Sequence, residues 1–294
     1  MTLQKIKKNL NKAGYFKLMA FFATKTFRFF EKYFGVHFTP ANYYSPVPVH
    51  ADMKPAVFEK IFSCKGIDWN LDKQLEFLKQ IYPKYFLEYA PKPNSGLSLV
   101  DAFILFAMIR EQKPKKMVEV GAGDTTYIAL QALELNRKEG FDFQFITVEP
   151  YPRADIAVFA KPGFQLIQKK LQELELAFFS DIDLLFIDSS HVCKVDSDVN
   201  YEMLEILPQM KVGALIHWHD IPMPQNYWKD WMDTGTMFWN ESYLLHAFLL
   251  FNDSFKIQWG SNYMKLNHYN EMAALFPYLI PEHRLSSFWL QRSK

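Results

Sequence analysis

The chain has 294 residues, 49% of them apolar and 17% aromatic, with a formal net charge of +1. This excludes a globally disordered chain and calls for a core that buries roughly 70% of the unfolded surface. Cys64 and Cys193 stand far apart with no zinc-type cluster, which suggests a reducing, cytoplasmic setting and no disulfide framework.

The charge is uneven. Residues 1–34 hold seven lysines and Arg28 against Glu31 alone, a net +7, which leaves the remainder at −6. The remainder offers no case for nucleic-acid binding. Residues 5–34 are helix-friendly and rich in aromatics: Tyr15, Phe16, Phe21, Phe22, Phe27, Phe29, Phe30, Tyr33 and Phe34. The longest uncharged stretch, Leu18–Thr24, has seven residues, far short of the ~20 that a membrane span requires. No signal-peptide pattern follows it. Two readings stay open. The apolar face packs on the protein's own core or on a second subunit of a homo-oligomer, or the helix lies at an anionic inner-membrane surface.

Thr39–Pro48 reads as an extended, proline-punctuated link. Helices are expected near 53–63 and 71–81, after which Pro83, Pro91, Pro93 and Gly96 break the pattern. A helix over 97–112 follows, with Asn94 or Ser95 near its start and Lys113-Pro114 at its end. Strands then alternate with helices. The strands are Met117–Val120, Phe143–Glu149, Phe164–Gln168, Asp183–Ser190 and Val212–Asp220; the helical stretches are Thr125–Arg137, Leu171–Phe179 and Val195–Leu207. Continuous apolar strand cores point to parallel strands covered on both faces, hence a doubly wound α/β sheet. Ile221–Trp239 reads as an aromatic lid or acceptor wall, with Tyr227, Trp228 and Trp231 able to stack on a sugar or planar acceptor. A helix over 240–252 with Asn240 as its N-cap comes next. Phe255–Trp259 and Tyr263–Asn267 read as an antiparallel hairpin. The expected division is a basic arm and helical extension at 1–94, a core at 95–268 and a helical tail at 269–294.

Val118-Glu-Val-Gly-Ala-Gly-Asp-Thr-Thr126 fits a strand, a glycine turn and a helix N-terminus. Gly121 and Gly123 allow a tight turn and close backbone approach to a ligand. Asp124 in the first helical turn opposes phosphate, and Thr126 replaces the third glycine of a dinucleotide turn. The turn suits a ligand without phosphate, even a cationic one. Glu149 ends the second strand, where a carboxylate can accept hydrogen bonds from ribose hydroxyls. Leu171 and Gln172 follow the third strand, where an adenine edge would lie.

The series Glu119-Val-Gly-Ala-Gly, Glu149-Pro, Phe186-Ile-Asp-Ser-Ser-His191 and Gly213-Ala-Leu-Ile-His-Trp-His-Asp-Ile221 resembles the class I S-adenosylmethionine-dependent methyltransferases. Within them it looks like a branch of small bacterial enzymes that act on sugars or natural products. Tyr44-Ser-Pro-Val-Pro48, Asp196-x-Asp198-x-x-Tyr201 and Trp239-Asn-Glu-x-Tyr-Leu-Leu245 add to that likeness, which covers about 95–268. The resemblance implies a Rossmann-like, seven-stranded sheet with five parallel strands and an antiparallel C-terminal hairpin. It also implies S-adenosylmethionine bound by Glu119 at the methionine amino group, by Gly121, Gly123, Asp124 and Thr125 along the main chain, by Glu149 at the ribose, and by Leu171, Gln172 and Asp188. O-methylation of a small-molecule hydroxyl is the reaction implied.

A hydroxyl acceptor must lose a proton, which calls for a base or a metal. Asp188, His219 and Asp220 resemble the metal set of metal-dependent O-methyltransferases. The histidine suits manganese, iron or zinc better than magnesium. The competing site is metal-free, with His191 or His219 as general base. His217 reads as a hydrogen-bonded core residue. A nicotinamide oxidoreductase and a non-catalytic scaffold are the rival functions; the acids at 119, 149, 188 and 220 argue against the scaffold, and the glycine turn against the oxidoreductase.

Overall fold

The computed structural model describes residues 12–37, 43–91, 96–157 and 161–294. Two compact units divide the chain, Met1–Val57 and Phe58–Lys294. The first contains helix α1, Lys12–Phe34. The second begins well before residue 95, because α2 (Leu71–Tyr85) buries Leu78 and Ile81 in the main core. Residues 58–91 therefore pack with the core and are not an appended extension.

Helix α3, Leu99–Gln112, is buried from Val100 to Arg110. Ser98 caps it by accepting from Asp101 N at 3.0 Å. The N-cap positions expected from sequence, Asn94 and Ser95, lie outside the described residues. Arg110 is buried at 3% exposure and is compensated by Glu88, Asn136 and Glu139.

The seven strands are β1 Lys116–Val120, β2 Gln144–Val148, β3 Phe164–Ile167, β4 Leu184–Ile187, β5 Leu215–Trp218, β6 Phe255–Gly260 and β7 Phe288–Arg292. Their order is β3-β2-β1-β4-β5-β7-β6. The first five are parallel, and β7 runs antiparallel to both β5 and β6. This is the expected Rossmann-like, doubly wound sheet. Apolar clusters cover both of its faces, which explains the continuous apolar run of β4 and the apolar residues that flank buried Glu119 in β1 and His217 in β5.

The C-terminal region differs from expectation. Tyr263–Asn267 is not a hairpin strand; it belongs to α7, Ser261–Leu275. A five-residue alternation is compatible with either period; in the structure Asn267 Nδ2 donates to the carbonyl of Tyr263 four residues back, and the helix continues past a kink at His268 to Leu275. The partner of β6 is β7 instead, inserted between β5 and β6, so 269–294 is not a helical tail.

Register is what builds the site. Val120 pairs with Val148 and with Ile187, and Ile187 pairs with Trp218. The next residues, Gly121, Glu149, Asp188 and His219, therefore stand in one row at the carboxyl ends of the strands. Strand order reverses between β1 and β4, and such a switch point opens a crevice.

Candidate active site

The glycine turn joins β1 to α4, Asp124–Lys138. Its two glycines have separate roles. Gly121 has φ of 85°, and a Cβ there would run into the carbonyl oxygen of Asp188. It therefore lets the ends of β1 and β4 approach each other. On the Cβ side of Gly123 there is open space.

Glu119 is fully buried, and its carboxylate accepts from the hydroxyls of Thr125 at 2.8 Å, Thr126 at 2.7 Å and Thr147 at 2.9 Å. Thr126 also accepts from Gly123 N at 3.2 Å. The side chains of Glu119 and Thr125 thus tie the turn to the sheet. Burial lifts the pKa of Glu119 to about 7, against the lowering effect of the three hydroxyls. The unfolded chain releases this proton first, near pH 4.5, so stability falls as pH rises from about 4.5 to about 7. Glu119→Gln is expected to remove that fall, gaining ~1–3 kcal/mol over the parent at pH 8 relative to pH 4. Urea denaturation at the two pH values checks it, and parallel pH dependences would refute it.

A cleft of about 420 Å³ opens beside the turn, lined by Gly121, Glu149, Leu171, Gln172, Asp188 and Lys194 among others. Glu149 accepts from Ala122 N at 3.3 Å and Tyr151 N at 2.7 Å, which fixes its carboxylate at the rim. Leu171 is buried, and Gln172 donates to Asp196 O at 2.7 Å. Asp124 lies outside this lining and sits 3.4 Å from Arg153.

Asp188 also belongs to a second group. Ligand atoms of Asp188, His191 and Asp220 lie within 4.8 Å of one another. His191 Nε2 is 3.2 Å from Asp188 and 3.8 Å from Asp220. Both His191 and Asp220 are left-handed, with φ of 59° and 54°, a costly conformation that surrounding contacts must hold. Ser286 Oγ donates to Asp220 at 3.2 Å. His219, expected from sequence beside Asp188 and Asp220, flanks this trio: its Nδ1 is 3.7 Å from Asp188 and 3.0 Å from Asp220, buried and angled so that no hydrogen bond forms.

Sequence reasoning missed two acids. Glu241 opens helix α6, Glu241–Leu249, and its Oε2 is 2.8 Å from His191 Nδ1. The same helix start donates Asn240 N and Glu241 N to the carbonyl of His191. Asn240 is at the N-cap as expected, but its side chain is used to accept from Cys193 N at 2.6 Å. Behind them lies fully buried Glu202, which accepts from Ser189 Oγ at 3.3 Å. Glu202 and Glu241 each keep one oxygen without a hydrogen bond, and burial with mutual repulsion raises the pKa of Glu202. The only sequence signal for Glu241 is its place in the Trp239-Asn-Glu run.

Burial opposes charge throughout this cluster; it prevails at Glu202 and Glu241, whose pKa values are raised, and is overcome by partners at Asp188, His191 and His219. Asp188 is held down at about 2 by His219 and His191. His219 is raised to about 9 by Asp188 and Asp220, and His191 is raised by Asp188 and Glu241. His217 is, as expected, a core residue: its Nε2 is 2.7 Å from Ser287 Oγ, and its ring stacks on Phe186 at 4.2 Å.

The 221–239 segment, which includes the short helix α5, Lys229–Asp233, forms an aromatic cluster next to the trio. Trp239 lies 4.4 Å from the His191 ring, Trp231 lies 4.9 Å from Trp239, and Trp228 lies 4.7 Å from Trp231. Tyr227 is buried, and its hydroxyl accepts from Ser242 N at 3.0 Å, so it braces the cluster from within.

Residues 118–221 match a family model described as a methyltransferase domain, and the glycine turn, Glu149 and Asp188 through Asp220 lie within the matched residues. An uncharacterized protein of Archaeoglobus fulgidus is 29% identical over 171 residues, 51% of this chain and 75% of the relative. Among solved structures, the chain is similar to the SAH-bound methyltransferase of Podospora anserina, with 14% identity, a TM-score of 0.44 and coverage of 88% of this chain and 100% of that one. It is also similar to an O-methyltransferase of Streptomyces achromogenes involved in tomaymycin synthesis, with 12% identity, a TM-score of 0.43 and coverage of 75% and 90%.

Proposed function

We propose that this chain methylates a hydroxyl oxygen of a small molecule, a sugar or natural product, using S-adenosylmethionine at a metal-organised site. The observation that carries this reading is the position of Asp188. It lines the cleft that holds Glu149 and at the same time belongs to the Asp188, His191 and Asp220 trio, so a donor and an acceptor placed in the two halves would meet at one carboxylate.

The residues fit both groups. When bound, S-adenosylmethionine supplies an electrophilic methyl on a sulfonium, and a divalent metal lowers the pKa of a hydroxyl it holds. Glu149 would accept from ribose hydroxyls, Leu171 would pack the adenine, and the open side of Gly123 would admit the amino-acid end. No step needs a phosphate cradle. Two carboxylates and an imidazole suit manganese or iron(II) better than magnesium. Glu241 occupies His191 Nδ1, which leaves Nε2 facing the two acids. The orphaned His219 Nδ1 beside Asp188 adds a fourth polar atom to the same space.

The metal-free alternative has His191 or His219 as general base; the facing carboxylates of Asp188, Asp220 and Glu241 raise the pKa of both rings. The aromatic cluster from Trp228 to Trp239 would wall the acceptor side and exclude water. Alignment of oxygen, methyl carbon and sulfur is then the main catalytic task.

Glu149→Ala tests the donor half. Loss of charge-assisted hydrogen bonds worth ~1.5–3 kcal/mol is expected to weaken S-adenosylhomocysteine binding about 10–100-fold by calorimetry. Affinity within twofold of the parent would remove Glu149 from the ribose site.

A further inference from the structure

The basic arm is not absorbed by methyl transfer. On α1, Leu18, Phe22, Phe29 and Tyr33 recur at spacings of four, seven and four, which places them on one stripe of a helix. They are 36%, 55%, 52% and 62% exposed. A parallel stripe carries Lys17, Phe21, Lys25, Arg28 and Lys32, and its four basic residues are exposed as well. Lys25 Nζ lies 4.7 Å from the Phe21 ring, and Lys32 Nζ lies 5.2 Å from the Tyr33 ring. The cations thus fold back along the aromatic border, as side chains do where apolar and aqueous phases meet. The only acid on the helix, Glu31, is 3.6 Å from His37. No described helix is long and apolar enough to cross a membrane.

We propose that α1 is a membrane-surface anchor, which lays its Leu18, Phe22, Phe29 and Tyr33 stripe into an anionic bilayer while Lys17, Lys25, Arg28 and Lys32 meet the headgroups. The choice of occupant rests on charge complementarity. A protein groove could take the aromatic stripe, but a row of four cations bordering it calls for a partner that is apolar and densely anionic at once. Each cation near such a surface strengthens the attraction, and with the aromatic stripe the four make the attachment reversible but firm.

The test is cosedimentation of the full chain with phosphatidylcholine vesicles, with and without phosphatidylglycerol. About 10²-fold preference for the anionic vesicles is expected, fading at high salt. Two variants separate the contributions: Lys25→Gln with Arg28→Gln and Lys32→Gln, and Phe22→Ser with Phe29→Ser. Each is expected to lose at least about tenfold in vesicle affinity while keeping the parent's melting temperature. Failure to bind anionic vesicles overturns the proposal, as does equal binding to neutral ones. Self-association through the aromatic stripe without vesicle binding overturns it too, as does retention on nucleic acid in preference to vesicles.

Discussion

Asp188→Asn is expected to lower methyl transfer by about 10²–10⁴-fold, the range associated with losing a metal or a proton-transfer group. Asp188 is the residue shared by the cleft and the trio, so its charge serves both halves. The amide keeps the shape and removes the charge that faces His191 and His219. Manganese binding should fall with activity, while S-adenosylhomocysteine affinity should change far less, because Glu149 and Leu171 are untouched. Titrating both ligands into the variant separates these outcomes. Full activity in Asp188→Asn, together with indifference to a chelator, would refute the metal-organised site.

Gly121→Ala is expected to destabilise the fold severely. The position has φ of 85°, a conformation costing ~1–3 kcal/mol for a residue with a side chain. The added methyl also meets the Asp188 carbonyl oxygen, a backbone atom that can move only by separating β1 from β4, and overpacking of this kind adds ~1–3 kcal/mol. Gly123→Ala, with open space on its Cβ side, should leave the melting temperature near that of the parent and weaken the cofactor instead. Thermal melts of the two variants, with and without S-adenosylhomocysteine, distinguish a packing glycine from a ligand-facing one. Equal melting temperatures would contradict this division of roles.

The parallel half of the sheet was legible because buried parallel strands carry short apolar runs such as Leu184–Ile187 and Ala214–Ile216, alternating along the chain with helical stretches. The row Gly121, Glu149, Asp188 and His219 followed from where those runs stop. The antiparallel edge was not legible. Phe288–Arg292 is five residues with no nearby partner in sequence, and its place between β5 and β6 depends on a connection through α7. The donor cleft residues Glu149, Leu171, Gln172 and Asp188 came together as read. The tie between Thr125 and Glu119 was not legible, because three threonine hydroxyls close on the carboxylate, and hydroxyl direction leaves no trace in spacing. His191 joins Asp188 and Asp220, with His219 beside them, because left-handed turns at His191 and Asp220 bring their side chains together. Glu241 lies 50 residues from His191, and only the packing of α6 reveals it.

Calorimetric titration of the full chain with S-adenosylhomocysteine, with and without manganese, tests the central claim most directly. One-to-one micromolar binding to the parent, with manganese retained by the parent and lost in Asp188→Asn, is the expected result. Absence of binding at millimolar ligand would contradict the methyltransferase reading of this site.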